Sequence, residues 1–381
     1  MLSIHQADIQ EQLRAKGVDP EHIKALHVKL QSGELDRTSF VIPANRLAVP
    51  KPADVTTYST QAQSLGIEAL RADQLLIFWL NGGAATRYGM EQFGDMPKGL
   101  TPVINDISYI ELKIRGLLAM TKQYQLDTHP PVILMNSFVT DKQTRAHLQQ
   151  LFKKFPDLDP SRFHYVIQQA RVPRFTKAED VTEIDVFVDQ QSQLSWAPCG
   201  HGDFVYLLRE YLADTFIPNV RYMLFANIDN VAVTIDPALL GLHIQAQVGR
   251  TVEIVKKLPT DQGGLPCLVD DKMTIVEQMK LPENFSPDQL PWLNTNTFWF
   301  TLKDLLEYDE DLPWILAEKT ISEGNVIQLE RFACDVNLPS QYVLVERNQR
   351  FWPIKRYADL LNYRQQPTFQ ELLRKQFSVT V

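Results

Sequence analysis

From about residue 75 onward, short apolar runs alternate with longer amphipathic stretches. The apolar runs at 75–80, 131–135, 163–168, 222–226 and 252–255 have the length of strands. The stretches 109–120, 142–154 and 203–213 read as helices. Strands alternating with helices predict an α/β fold on a mixed, mostly parallel sheet with helices on both faces. In such sheets ligands bind beyond the carboxyl ends of the strands, so the residues just after each run carry the most information.

Ahead of this region the texture differs. Residues 6–35 read as two short helices broken near Gly17-Val18-Asp19-Pro20. Asp19 can cap the second helix, with Pro20 at its first position. Residues 42–54 are dotted with proline and read as an extended linker wrapping another part of the chain. This divides the chain into an N-terminal helical segment with its linker, 1–66, and a main domain, 67–381. The N-terminal helices are expected to pack over the sheet. There is no internal repeat and no low-complexity tract.

Composition narrows the classes. Hydrophobic residues make up 44% and charged residues 22%, as in an ordinary folded, soluble enzyme. The formal net charge is −8 and no long basic run occurs, which argues against nucleic acid or an anionic membrane as a partner. A local basic pocket for one small anion remains compatible with that balance. Cys199, Cys267 and Cys334 are far apart and form neither a disulfide framework nor a CxxC knuckle, which suits a reducing compartment. The first residues have no apolar core of signal-peptide length, and the run 75–80 is too short to span a bilayer. A cytoplasmic protein is expected.

The loops after the predicted strands hold the candidate chemistry. After 75–80 come Asn81-Gly82-Gly83-Ala84-Ala85-Thr86-Arg87-Tyr88-Gly89 and then Met96-Pro97-Lys98-Gly99. Paired glycines let backbone amides approach an anion, Thr86 and Arg87 add donors, and Lys98 adds a point charge. A tight strand-to-helix turn beside a surface lysine is the plainer alternative. The GxxxxGK[ST] spacing of a P-loop and the GxGxxG dinucleotide turn are both absent, which disfavours a hydride-transfer enzyme. Pro198-Cys199-Gly200-His201-Gly202-Asp203 sets a histidine between glycines, exposed on a loop where it can hydrogen-bond a ligand. Asn227-Ile228-Asp229-Asn230 sets a carboxylate at the ligand edge of the sheet, where a hard Mg²⁺ ion could take it together with phosphate oxygens.

These segments, with Leu134-Met135-Asn136-Ser137-Phe138, Gln168-Gln169-Ala170-Arg171-Val172-Pro173, Asn294-Thr295-Asn296 and Phe351-Trp352-Pro353-Ile354-Lys355, arrive in one order. In that order they resemble the motifs of the UTP–glucose-1-phosphate uridylyltransferase family, the UDP-glucose pyrophosphorylases, over roughly residues 75–361. The resemblance implies a Rossmann-like, GT-A-like nucleotidyltransferase fold. It implies nucleotide contacts from Leu80, Asn81, Gly82, Gly83, Lys98, Gln169, Gly200, Asp229 and Lys355, with Gln169 on uracil and Lys355 at the α-phosphate. Sugar contacts would come from His201, Asn227, Ile228, Glu253, Lys257 and Asn296. The chain departs from the family pattern where Ala85 replaces a third glycine, and in a longer stretch between Gly89 and Pro97. Familiar eukaryotic members carry a C-terminal β-helix domain; this chain stops soon after the last motif, so none is expected.

The implied reaction joins UTP to a sugar 1-phosphate, glucose 1-phosphate first among them, and releases pyrophosphate. The attacking phosphate oxygen is ionised at neutral pH, so catalysis is alignment and charge neutralisation. Lys98, Lys355, Arg87 and a Mg²⁺ ion on Asp229 would supply the positive charge. A UDP-N-acetylhexosamine or broad-specificity UDP-sugar pyrophosphorylase is the nearest alternative. A non-catalytic nucleotide-sugar-binding regulatory protein is the alternative from another class. UTP and a sugar 1-phosphate are the expected partners; UTP over dTTP and the oligomeric state stay open.

Overall fold

Strand-length apolar runs become strands buried on both faces. In a computed structural model that describes residues 3–83, 93–94 and 96–379, eight strands form one sheet, five of them at those runs. In chain order they are β1 (Thr56–Thr57), β2 (Leu75–Leu80), β3 (Val132–Ser137), β4 (Phe163–Gln168), β5 (Tyr222–Asn227), β6 (Arg250–Lys256), β7 (Trp292–Thr301) and β8 (Ser340–Leu344). Their spatial order is β1-β8-β6-β7-β5-β2-β3-β4. β7 runs antiparallel to both of its neighbours, and every other pairing is parallel.

The two-residue period of β2 shows why its apolar run is continuous. Leu75, Ile77 and Trp79 enter one hydrophobic cluster, while Leu76 and Phe78 enter the cluster on the opposite face. Helices α3 (Gln63–Arg71), α4 (Tyr109–Gln123), α5 (Asp141–Lys154) and α7 (Pro237–Ala246) cover the first face. Helix α6 (Phe204–Asp214) covers the second. The register aligns Leu80 with Met135 on one side and with Asn227 on the other, and Ser137 with Gln168. Four strands therefore end side by side, and their following loops meet at one edge.

The N-terminal helices α1 (Ala7–Ala15) and α2 (Pro20–Gln31) form as their sequence predicts. Asp19 accepts the Glu21 amide at 3.0 Å, and Pro20 opens the helix. Their packing partner is not the one expected. Ile9, Leu13, Ile23, Leu26 and Leu30 cluster with Val172, Phe175, Ile184, Leu194 and Ile327, so the pair lies on an accessory lobe beside the sheet. The linker does wrap: Leu47 and Ala48 pair with Val269 and Leu268, and β1 joins the sheet edge. A long hairpin, Ile315–Ile321 with Gly324–Glu330, completes the lobe by pairing with Phe175–Thr176. Among the described residues no helix is long and apolar enough to cross a membrane. Cys199, Cys267 and Cys334 are buried free thiols.

Candidate active site

The loops after β2, β4 and β5 and the accessory hairpin enclose a cavity of about 1120 Å³. Leu80, Asn81, Gly82, Gly83, Lys98, Gly200, His201, Asn227, Ile228 and Asp229 all line it. Segments more than a hundred residues apart are brought together because the parallel strands end in register.

The charged centre is a lysine–aspartate pair. Lys98 opens a 3-10 turn after Pro97, and Asp229 stands two residues beyond β5. Their side chains meet at 2.6 Å, with 13% of the lysine and 24% of the aspartate exposed. Both are thus largely withdrawn from water and still line the cavity. Among the described residues no group of three or more His, Cys, Asp or Glu side chains gathers to hold a metal ion. A divalent ion here would take Asp229 as its protein ligand and fill its shell with phosphate oxygens and water, an arrangement Mg²⁺ favours.

His201 is more enclosed than its glycine neighbours suggest. Its Nδ1 accepts the Ala333 amide at 2.9 Å, and its ring lies on Phe332 with centroids 5.5 Å apart. Burial pushes its pKa down to about 4, so the ring is neutral at physiological pH. With Nδ1 accepting, the remaining proton sits on Nε2 as a donor. The flanking glycine serves close approach rather than exposure. Gly200 has φ +83°, and a Cβ there would lie 2.6 Å from the Arg331 carbonyl oxygen.

Asn81 turns its amide inward, donating to Asn136 Oδ1 at 2.8 Å and Thr144 Oγ1 at 2.9 Å. It braces the glycine loop against β3 and α5. Asn227 is held by Asn296, whose amide donates to its Oδ1 at 3.0 Å.

Several expected contacts lie elsewhere. Gln169 is exposed at the end of β4, and the glutamine that lines the cavity is Gln168, one position earlier. Successive residues leaving a strand face opposite ways, so a one-residue offset changes which amide enters. Gln168 donates to the Gly200 carbonyl at 2.6 Å. Glu253 is fully buried: Arg350 grips it at 2.6 and 2.9 Å, and Trp299 Nε1 donates to it at 2.9 Å. Lys257 pairs with Asp288 at 3.0 Å and, like Asn296, is not part of the lining. Lys355 is exposed and donates to the Gln262 carbonyl at 3.2 Å, outside the lining, although the adjacent Ile354 amide reaches the Asp229 carbonyl at 3.2 Å. Arg87 and Ala85 lie outside the described residues.

The motif reading also missed one wall. Arg174, Ser195, Lys319, Gln328 and Glu330 line the cavity from the accessory lobe. Arg174 donates to Ser195 Oγ at 2.9 Å and Gln328 Oε1 at 3.1 Å, and burial draws its pKa below the usual arginine value. Lys319 pairs with Glu330 at 3.0 Å. The alternation within Gly324–Glu330 signals a strand, but nothing local signals where that strand stands.

A mixed, mostly parallel sheet with helices on both faces and a cavity at the carboxyl ends of its strands is a Rossmann-like α/β fold. The crystal structure of UDP-glucose phosphorylase from Trypanosoma brucei has this fold. It superposes with a TM-score of 0.71 over 92% of this chain and 76% of that one, at 24% identity. The model of the UTP–glucose-1-phosphate uridylyltransferase family matches residues 29–372, and the chain belongs to that family. It is 29% identical to the Saccharomyces cerevisiae UTP–glucose-1-phosphate uridylyltransferase, a match covering 83% of this chain and 64% of that protein. It is 28% identical to a probable UTP–glucose-1-phosphate uridylyltransferase of Schizosaccharomyces pombe, covering 82% of this chain and 62% of that protein. The chain therefore spans less than two thirds of the length of either relative.

Proposed function

We propose that this chain transfers the uridylyl group of UTP to glucose 1-phosphate, giving UDP-glucose and pyrophosphate. The observation that carries this reading is the Lys98–Asp229 pair at 2.6 Å, set beside the Gly82-Gly83 loop on a chain of this family. A phosphate oxygen of the sugar 1-phosphate attacks the α-phosphorus, a new P–O bond forms, and the bond to pyrophosphate breaks. That oxygen is ionised at neutral pH and needs no base. The protein aligns two anions and offsets their charge.

Lys98 would exchange its carboxylate partner for a phosphate oxygen as UTP enters. Asp229 would then be the residue to hold Mg²⁺, which would supply positive charge against the phosphates. His201, through Nε2–H, would donate to a sugar hydroxyl and remain neutral throughout. Arg87 is the further cation offered by the loop. Lys355 can join the phosphates by leaving the Gln262 carbonyl, an exposed contact with little to hold it. The buried free thiols suit a reducing compartment, and we assign the reaction to the cytoplasm.

The test is pyrophosphate release with Mg²⁺ and UTP across glucose, galactose and N-acetylglucosamine 1-phosphates. Fastest release with glucose 1-phosphate is the expected result. Release with the N-acetyl sugar alone would transfer the assignment to a UDP-N-acetylhexosamine pyrophosphorylase, and comparable release with all three to a broad-specificity enzyme. UTP binding with no release from any sugar would leave a non-catalytic binding protein.

A further inference from the structure

Lys113 is a lysine in the middle of α4 that is only 3% exposed, and the reaction outlined above does not use it. Its Nζ donates to the Asn230 carbonyl at 2.6 Å and the Val233 carbonyl at 2.7 Å. Neither of these partners is a carboxylate, and burial pushes the Lys113 pKa down to about 7, so placing this amine here is costly. An apolar residue could hold a helix against a loop with less penalty. What the lysine adds is direction: two fixed bonds to two backbone carbonyls of one loop.

That loop is the one that presents Asp229. The opposite side of the same loop is tied as well. The Asn230 side chain donates to the Arg350 carbonyl at 3.1 Å and accepts the Trp352 amide at 2.9 Å. Arg350 donates to the Thr234 carbonyl at 2.8 Å while it grips Glu253. The near side depends on α4. Ile110, three residues before Lys113 and so on the same helix face, lies under the Lys98 turn. Its Cδ1 is 3.2 Å from where a Cβ of Gly99 would sit. One face of α4 therefore supports the Lys98 turn through Ile110 and the Asp229 loop through Lys113.

We propose that Lys113 is a positioning residue that locks the Asp229 loop to α4, and thereby fixes the spacing of Asp229 and Lys98. This rests on the reading of those two residues as the phosphate and metal site. The lock matters most when the Lys98–Asp229 pair opens to admit phosphate, because the pair can then no longer hold its own loop. Lys113 does not touch substrate; it acts through the carbonyls of Asn230 and Val233.

The experiment compares wild type with Lys113→Met, which fills the space without donors, and Lys113→Gln, which keeps an N–H donor. Two readouts are taken. The first is amide hydrogen exchange across residues 228–234, with strand 75–80 as an internal reference. The second is kcat, UTP KM and the Mg²⁺ concentration for half-maximal pyrophosphate release with glucose 1-phosphate. Lys113→Met is expected to speed exchange in 228–234 about tenfold or more, leave the reference strand unchanged, lower kcat about 10- to 100-fold and raise the Mg²⁺ requirement. UTP KM should stay within about threefold, and Lys113→Gln should lie between wild type and Lys113→Met. If Lys113→Met does not fold, Lys113→Gln against wild type decides by the same readouts. Unchanged exchange in 228–234, or a fall in thermal stability with kcat and the Mg²⁺ requirement unchanged, would overturn the proposal. A wild type that releases no pyrophosphate would overturn the functional reading instead, and the exchange arm would still decide for Lys113.

Discussion

His201, proposed above as a sugar ligand, owes its state to what it touches. The Ala333 amide occupies Nδ1, Phe332 covers a ring face, and burial keeps the imidazole uncharged down to about pH 4. In the role proposed for it, a neutral donor avoids adding a charge that would vary near neutrality. Activity should therefore show no acid limb from His201 between pH 8 and 5. Stability should show one. The unfolded chain takes up the proton near the ordinary value of 6.5 while the folded ring resists to about 4, so stability falls as pH drops through that window and is unaffected above it. Urea midpoints measured between pH 7 and 4 should decline less steeply for His201→Asn than for wild type.

At the scale of elements, close approach does what side-chain chemistry does at the residue scale. Helices α3 and α7 cross at paired glycines. A Cβ on Gly66 would lie 1.9 Å from the Pro237 carbonyl oxygen, and one on Gly241 would lie 1.8 Å from the Ala62 carbonyl oxygen. Gly66→Ala should force the helices apart and destabilise the protein by about 1–3 kcal/mol. No residue of either helix lines the cavity, so the melting temperature should fall with substrate KM unchanged. The strands themselves were legible from apolar runs, 75–80 and 163–168 matching β2 and β4 end to end. Their order was not, because pairing in register is a property of chain segments that are distant in sequence.

Over the whole molecule, the N-terminal helices act as a clamp on the cavity wall. Gln12 exchanges hydrogen bonds with the loop at 192–194, accepting the Leu194 amide at 2.8 Å and donating to the Ser192 carbonyl at 3.0 Å. The Ile4 amide donates to Asp185 at 3.1 Å, and His27 donates to the Ile184 carbonyl at 2.7 Å. The held segment continues into Asp189 and Ser195, which line the cavity. Ile23, fully buried in this cluster, is the place to loosen it. Ile23→Asp should lower thermal stability by several degrees, because an unpaired carboxylate enters an apolar cluster. It should also raise the KM for the sugar phosphate several-fold while calorimetric UTP affinity changes little, since Lys98 and Asp229 are held by α4 and the end of β5 rather than by the N-terminal helices.

What the sequence by itself determined follows from local physics. Apolar period marks strands and helices, Asp19-Pro20 marks a helix start, and short polar loops after strands mark the ligand edge. Those signals mark the loops of Gly82, Lys98, His201 and Asp229, which line the cavity. The tertiary structure alone decided which side chains enter the cavity. Gln168 enters and Gln169 does not, because residues alternate sides at a strand end. Glu253 is spent on Arg350, ninety-seven residues away, and Lys355 rests on Gln262. The accessory wall, Lys113 beneath the Asp229 loop, and the N-terminal clamp all arise from contacts between segments far apart in the chain. Local sequence sets what a segment can be. The choice of partner is set only when segments compete for the same buried space, and that competition is decided in three dimensions.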